Sequence, residues 1–285
     1  GWKISQEAFL RDSDILSDLK LRLSYGQTGQ QDILNDYPYM TTFTVSYPEA
    51  CYQFGDKWYN TYRPNGYDSD IKWETTETYN IGLDYGFLNN RIYGSVDYYQ
   101  RHTKDLLNTI PVISGTNYSS VITTNIGEMD NKGVDANLEY QTRIGNKVGL
   151  RLFGNLTYSK NKIVFRDEPA MQYAYQKSEG TRYGEFYGYI AEGYFQSEEE
   201  IKKSTRQMRE LATGDIKYKD LNDDGVIDAN DQCYLGKSWF PSWSYGMGFN
   251  INYHNFDLAL FFQGVSDVSI MANGGSIDTG NGDWG

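Results

Sequence analysis

The chain has 285 residues with 39% apolar content and a formal net charge of −12; this bounds it to one large or two ordinary domains and excludes nucleic acid as a partner, since phosphate binding needs clustered Lys and Arg and no basic stripe exists here. Its 26 Tyr, 13 Phe, 6 Trp and 29 Gly against 6 Pro and 2 His combine strand formers, interface aromatics and turn residues, the profile of an all-β protein. No run approaches the ~20 apolar residues of a transmembrane helix, and Cys51 and Cys233 are too few for a disulfide scaffold and too far apart for a zinc pattern, which leaves two unpaired thiols or one bridge.

Residues 2–10 open an alternation of apolar and polar residues with period two, the pleat signature of a strand with two unlike faces. Because Gly1 enters this pattern without a signal peptide, the sequence reads as part of a longer chain. In 19–26, Leu19, Leu21, Leu23 and Tyr25 oppose Lys20, Arg22 and Ser24. A long connection, 27–77, follows; it is dense in rings, including Tyr37, Tyr52, Trp58, Tyr59, Tyr62 and Trp73. Trp58, Tyr59 and Tyr62 are the candidate substrate contacts, since such rings stack on sugar faces, although the same rings also pack a loop against itself.

Alternation resumes in 78–87, where Tyr79, Ile81, Leu83, Tyr85 and Phe87 form the apolar side, and after the tight join Asn89-Asn90 it continues in 91–101. Segments 120–142 and 149–161 repeat it with Val134, Ala136, Leu138 and Tyr140, then Leu150, Leu152, Leu156 and Tyr158. The longest connection, 162–240, contains a capping box, Ser197 with Glu200, followed by Ile201, Met208 and Leu211 at helical spacing, which predicts a helix over 198–212. Strands over 241–253 and 256–264 flank the turn His254-Asn255, and the sequence ends in a Gly-rich stretch, Gly274 to Gly285.

A soluble sandwich also alternates. The connections separate the two readings. Those at 27–77, 102–119 and 162–240 are long, whereas 88–90, 143–148 and 254–255 are short, in strict alternation. Outer-membrane barrels sort their loops this way, with short periplasmic turns and long extracellular loops, and a barrel strand needs only about 9–11 residues with every second one apolar. Aromatics at the segment ends, among them Trp2, Tyr25, Phe87, Tyr158, Trp243 and Phe256, suit the headgroup level of a bilayer. The expected fold is therefore all-β: a partial transmembrane antiparallel β-barrel of eight strands with long extracellular loops and one short helix.

One compact chemical motif stands in the longest loop, residues 220–231. It fits the twelve-residue calcium loop, in which oxygens come from positions 1, 3, 5, 7, 9 and 12 and glycine at position 6 allows the sharp turn. The candidate ligands are Asp220, Asn222, Asp224, the carbonyl of Val226, Asp228 and Asp231, with Gly225 at the turn and Ile227 pointing into the loop's own small core. Position 12 is Asp in place of the usual Glu, a departure shared with dockerin loops. Without Ca2+ the carboxylates would repel one another; the competing reading is a solvated acidic turn with no ion. No nucleophile elbow, phosphate-cradling loop or metal-hydrolase helix occurs in the sequence, so no enzyme is expected.

Several stretches in order resemble the SusC/RagA family of TonB-dependent outer-membrane transporters. They are Trp2-Lys3-Ile4-Ser5 with Glu7 and Phe9, Leu19 through Gly29, Asn125-Ile126-Gly127 with Asn131-Lys132-Gly133-Val134-Asp135, Gly214 through Asp220, and Phe256-Asp257-Leu258 with Phe262-Gln263-Gly264. The resemblance implies part of a barrel of about 22 strands around a plug, in the bacterial outer membrane. It further implies import driven by the TonB complex through an N-terminal part preceding Gly1, and a SusD-like lipoprotein lid over the outer mouth. The plug and the last strands would lie outside this sequence. The resulting expectation is uptake of a nutrient, glycan first and peptide second. Lys20, Arg22, Asn80, Asp84, Asp97, Asp135, Glu139, Arg151, Asn155 and Asp257 would line the lumen, and lipid would cover the other face. The alternatives are a secreted or surface-attached, calcium-stabilised β-protein that binds glycan without transporting it, and a surface glycoside hydrolase.

Overall fold

The structure is a computed structural model that describes residues 1–30, 39–110, 121–145 and 147–271. Tyr37 and the stretch Gly274 to Gly285 lie outside the described residues. In chain order the strands are β1 (Trp2–Lys3), β2 (Leu16–Gln30), β3 (Phe43–Phe54), β4 (Lys57–Pro64), β5 (Glu74–Phe87), β6 (Ile92–Lys104), β7 (Leu107–Ile110), β8 (Ile122–Asn125), β9 (Gly127–Ile144), β10 (Val148–Arg166), β11 (Glu185–Gly188), β12 (Ala191–Tyr194), β13 (Ile216–Tyr218), β14 (Cys233–Ser238), β15 (Trp243–Tyr253) and β16 (Phe256–Ser266). Helix α1 (Glu198–Lys203) lies between β12 and β13.

Eight strands form one sheet in the order β1-β2-β5-β6-β9-β10-β15-β16, every neighbouring pair antiparallel. They correspond one to one with the eight alternating segments of the sequence. The path is a meander, so the hairpins β3-β4 and β7-β8 and the β11–β14 region all sit in connections at one end of the sheet. The opposite end carries the tight turns. There Leu88, Asn89 and Asn90 all take positive φ, as do Gly145 and His254; Asn and Gly accept that conformation readily and Leu does not. Leu88 is held in it by its N–H donating to the carbonyl of Ile15 at 2.8 Å. The sheet remains open, with β1 and β16 as its edges.

Three expectations need correction. The strand predicted over 2–10 is ordered as a strand only at Trp2–Lys3, because Ile4–Gln6 turn into a 3-10 helix and the buried Ser5 hydroxyl donates to Asp18 Oδ1 at 3.1 Å, pulling the chain off the sheet edge. The segment 120–142 is two strands broken at Ile126, whose N–H donates to Leu106 while the N–H of Leu106 donates to Gly127; Ser120 lies outside the described residues. The helix predicted over 198–212 spans Glu198–Lys203 only. Its N-terminus is as expected, with the N–H of Glu200 donating to Ser197 Oγ. Its end is set by competing bonds: Ser204 N–H and hydroxyl both return to Ile201, Arg206 pairs with the acidic loop, and Gln207 bonds Ile216 and Tyr218 of β13. Met208 and Leu211 thus lie beyond the helix despite their spacing.

Among the described residues, the buried apolar side chains are Tyr99, Ile163, Phe195, Ile227 and Cys233, none of them on the apolar row of the sheet. Phe195, Ile227 and Cys233 belong to the 162–240 connection, which therefore folds around a small core of its own, while none of the described residues forms a layer over the sheet's apolar side. Neither cysteine forms a disulfide.

Candidate functional site

The register joins the alternating segments into two continuous faces. On one, successive strands place Leu21 opposite Leu83, Leu83 opposite Val96, Val96 opposite Ala136, Ala136 opposite Leu156, and Leu156 opposite Tyr245. The row toward the loops runs Leu23, Ile81, Tyr98, Val134, Tyr158 and Trp243, and the row toward the turns Leu19, Tyr85, Leu138, Met247 and Phe262, with Gly94 and Gly154 between them. Leu23 is 65% exposed, Met247 58% and Phe262 60%, so among the described residues no second sheet packs on this face, as a sandwich would require. Rings close the band at both ends. At the long-loop end Tyr25 contacts Tyr79 at 4.9 Å and Tyr158 contacts Trp243 at 4.5 Å between centroids, while Phe87, Tyr140, Tyr253 and Phe256 stand at the other end. The eleven residues of β15 from Trp243 to Tyr253 extend about 34 Å at ~3.4 Å per residue. Tilted by about 45°, they cover roughly 24 Å, the height of the apolar band of an outer-membrane barrel.

The opposite face gathers every residue expected to line the lumen, from Lys20 to Asp257, and ties many of them together. Arg22 Nε donates to both oxygens of Asp84 at 3.0 Å, and its Nη2 to Asp97 Oδ2 at 2.7 Å. Gly82 lies between Arg22 and Asp97 in the register, and a Cβ there would stand 2.7 Å from Arg22 Cζ and collide with Asp97 Oδ1. The glycine makes room for the ion triad. Further along, Arg151 holds Glu139 through two bonds of 2.7 and 2.6 Å, and the Tyr93 hydroxyl donates to the same carboxylate. The face is not wholly polar: Tyr99 is buried over Gly133, and Phe153 stacks on Phe261 at 5.9 Å beside Gly248. Sequence reasoning missed these aromatics, although in each case a glycine opposite a ring in the register is the signal. Asp135, Asn137, Asn155 and Gln263 border an open recess of about 740 Å³ on this face.

At the long-loop end, a cluster fastens the 162–240 connection to the sheet. Arg182 Nη1 and Lys237 Nζ donate to Asp267 at 3.0 and 2.5 Å, and the buried Ser242 hydroxyl donates to the same carboxylate at 2.6 Å. Lys237, then Ser242 and Arg182, hold the Asp267 carboxyl well below the usual range. A depressed carboxylate pKa contributes stability that is present above its unfolded value and lost as pH falls through the folded one, so this fastening persists through mild acid.

The acidic loop 220–231 is a series of side-chain-capped turns. Asp220 Oδ2 accepts from Gly225 N–H at 2.9 Å, Asn222 Oδ1 from Asp224 N–H at 3.1 Å, and Asp224 Oδ1 from Val226 N–H at 2.9 Å. Asp228 caps a short 3-10 turn, and Asp231, fully buried, accepts from Leu221 N–H at 2.7 Å and Asp228 N–H at 2.9 Å. Ile227 is fully buried, as the calcium-loop spacing implies. The donor set matches a hard, oxygen-seeking cation, and Asp220 Oδ1 is buried without a hydrogen-bond partner, so position 1 has an acceptor to spare. Against this, Asp224 Oδ2 accepts from Asn222 and Asp228 Oδ2 from Asn230, and among the described residues no three acidic, His or Cys side chains converge as a metal group.

The ring candidates split. On the β3-β4 hairpin, Tyr52 faces Tyr59, and Gln53 faces Trp58. With period two, Trp58 and Tyr62 share one side and Tyr59 takes the other, in contact with Phe54 at 5.6 Å. All three are exposed.

Comparison with known proteins agrees with this architecture. The family model described as TonB dependent receptor-like, beta-barrel, matches residues 13–268. The TonB-dependent receptor SusC of Bacteroides thetaiotaomicron is 34% identical over 267 residues, which is 91% of this chain and 26% of that protein. TonB-dependent receptor P3 of Formosa agariphila is 31% identical over 278 residues, 92% of this chain and 27% of that protein. The chain thus spans about a quarter of the length of the curated relatives it matches. Among solved structures, the RagAB peptide importer in its open-open state superimposes with a TM-score of 0.71 at 22% identity, over 94% of this chain and 28% of that one; likeness at that identity speaks to the fold.

Proposed function

The chain belongs to the TonB-dependent receptor-like β-barrel family of the outer membrane, and on that premise we propose that it forms part of the wall of a nutrient importer. The observation that carries the reading is the uninterrupted, uncovered apolar face, bounded by rings at the spacing of a bilayer's hydrocarbon layer. In such a wall, the ion-paired face borders the lumen, where Arg22, Asp84 and Asp97 or Glu139 and Arg151 meet whatever fills it. With the tight turns on the periplasmic side, the 27–77 and 162–240 connections stand outside the cell, where a SusD-like lipoprotein would cap them and the TonB complex would act from the far side through the rest of the protein.

Glycan is the substrate class we favour, because Trp58 and Tyr62 present exposed rings on one side of an outer hairpin, the arrangement on which sugar faces stack. Peptide is the second reading, suggested by the peptide importer whose fold the chain shares. We further propose that the 220–231 loop holds Ca2+ through Asp220, Asn222, Asp224, the Val226 carbonyl, Asp228 and Asp231, with Asp224 and Asp228 giving up their Asn222 and Asn230 bonds to it. The ion's part would be to fix this loop, not to act in chemistry.

Membrane fractionation with an uptake assay tests the import reading. The full-length protein is expected in the outer membrane and to need detergent for release, and cells lacking it should lose oligosaccharide uptake while retaining oligopeptide uptake. The reverse uptake pattern assigns the peptide reading. A protein released without detergent, with uptake unaltered by its loss, assigns the surface glycan-binding alternative.

A further inference from the structure

Three lysines stand together on the lipid-facing side of the sheet, just beyond its ring of aromatics at the long-loop end. The register sets Lys132 opposite Lys160 and Asp130 opposite Lys162. The alternation that turns Tyr98, Val134 and Tyr158 outward turns these lysines outward at the next positions toward the loops. All three are exposed. Like charges directly across a strand pair destabilise it, so the Lys132–Lys160 pairing asks for a counter-ion, and the neighbouring carboxylates are engaged elsewhere. Asp130 is held by His102 Nδ1 at 2.7 Å, Glu128 lies 3.9 Å from His102 Nε2, and Glu77 pairs with Lys104 at 3.3 Å. None of the three lysines has an ion-pair partner among the described residues.

The lysines border a recess of about 620 Å³ whose lining also includes Tyr98, Val134, Tyr158, the His102-bound Asp130, and Arg182, which pairs with Asp267 through Nη1. Arg182 Nε is a buried donor with no partner. The recess is thus cationic toward the loops and apolar toward the membrane, in a chain whose net charge is −12. A free anion has no use for the apolar half and a neutral lipid none for the lysines.

We propose that this recess binds the phosphate of an anionic lipid in the outer leaflet, its acyl chains descending along Tyr98, Val134 and Tyr158. The proposal rests on the membrane reading above. It gives the lysine cluster its counter-ion and anchors the barrel's long-loop end at the headgroup level. A lipid phosphate supplies charge-assisted acceptors to several lysines at once, and each cation near a charged bilayer surface contributes about a fivefold gain in affinity.

Native mass spectrometry of the full-length protein in detergent, titrated with phosphatidic acid, phosphatidylcholine or inorganic phosphate, tests it. Phosphatidic acid should be retained over phosphatidylcholine and resist millimolar inorganic phosphate. The variant Lys132→Gln/Lys160→Gln/Lys162→Gln should bind it about a hundredfold more weakly, whereas Lys132→Arg/Lys160→Arg/Lys162→Arg should bind like the unmodified protein. Should the triple Gln variant not fold, Lys160→Gln alone should lose about fivefold. Equal retention of the two lipids, displacement by inorganic phosphate, or undiminished binding by the Gln variants would overturn the proposal. A protein that carries detergent and phosphatidylcholine without preferring phosphatidic acid refutes the lipid site alone, and one that carries neither refutes the membrane reading beneath it.

Discussion

A Leu83→Arg variant of the full-length protein is expected to lose about 2–4 kcal/mol of stability in a bilayer, the cost of placing a guanidinium near the middle of an outer-membrane barrel's lipid face. Leu83 lies in the central apolar row, between Leu21 and Val96, and is 37% exposed. No second layer among the described residues packs on it, so its cost comes chiefly from what surrounds the sheet. In water the same change would cost a few tenths of a kcal/mol at a site so exposed. Asn155→Arg, on the other face beside an open recess, is the control and should be tolerated. Urea unfolding of the two variants in lipid measures the difference. Equal, small effects would show that neither face meets hydrocarbon.

Asp231→Ala is expected to loosen the outer loop while leaving the sheet intact. The Asp231 carboxylate is fully buried and satisfies the N–H groups of Leu221 and Asp228. Losing it strands two part-buried donors, at up to about 1–3 kcal/mol each. Rapid proteolysis between 220 and 231, with the barrel's heat-shifted gel mobility unchanged, is the expected outcome, and Asp231→Asn, which keeps one acceptor, should fall between. The same assay reads the metal. If the loop binds Ca2+, millimolar calcium should slow cleavage of the unmodified protein and EDTA should speed it, with neither affecting the Ala variant. Cleavage rates indifferent to calcium would leave a self-capped acidic turn.

The sheet was legible in the sequence because each strand sees two unlike environments, so residues such as Leu19, Leu21 and Leu23 against Lys20 and Arg22 mark both its pleat and its faces. Sorting of the connections by length then placed the loops at one end, as the meander requires. What failed depended on partners distant in sequence. Nothing local in 2–10 tells that Ser5 will bond Asp18, and the helical spacing of Met208 and Leu211 was overridden by bonds from Arg206 and Gln207 to elements well downstream. The glycine seats under Arg22 and Tyr99 are likewise invisible until the register puts Gly82 and Gly133 opposite them. In the acidic loop, composition suggested ligands, while Asp231's work in accepting from two backbone amides emerged only from its burial and its bonds.

Quenching along β10 by a lipid-soluble nitroxide distinguishes a sheet with one face in hydrocarbon from one covered by water on both sides. With single fluorescent labels placed in turn from Leu150 to Tyr158 in lipid-embedded, full-length protein, quenching should rise at Leu150, Leu152, Leu156 and Tyr158 and fall at Arg151, Phe153, Asn155 and Thr157. Uniform quenching by a water-soluble agent at all of these positions, with no period of two in the lipid signal, would mean that the apolar face does not meet lipid.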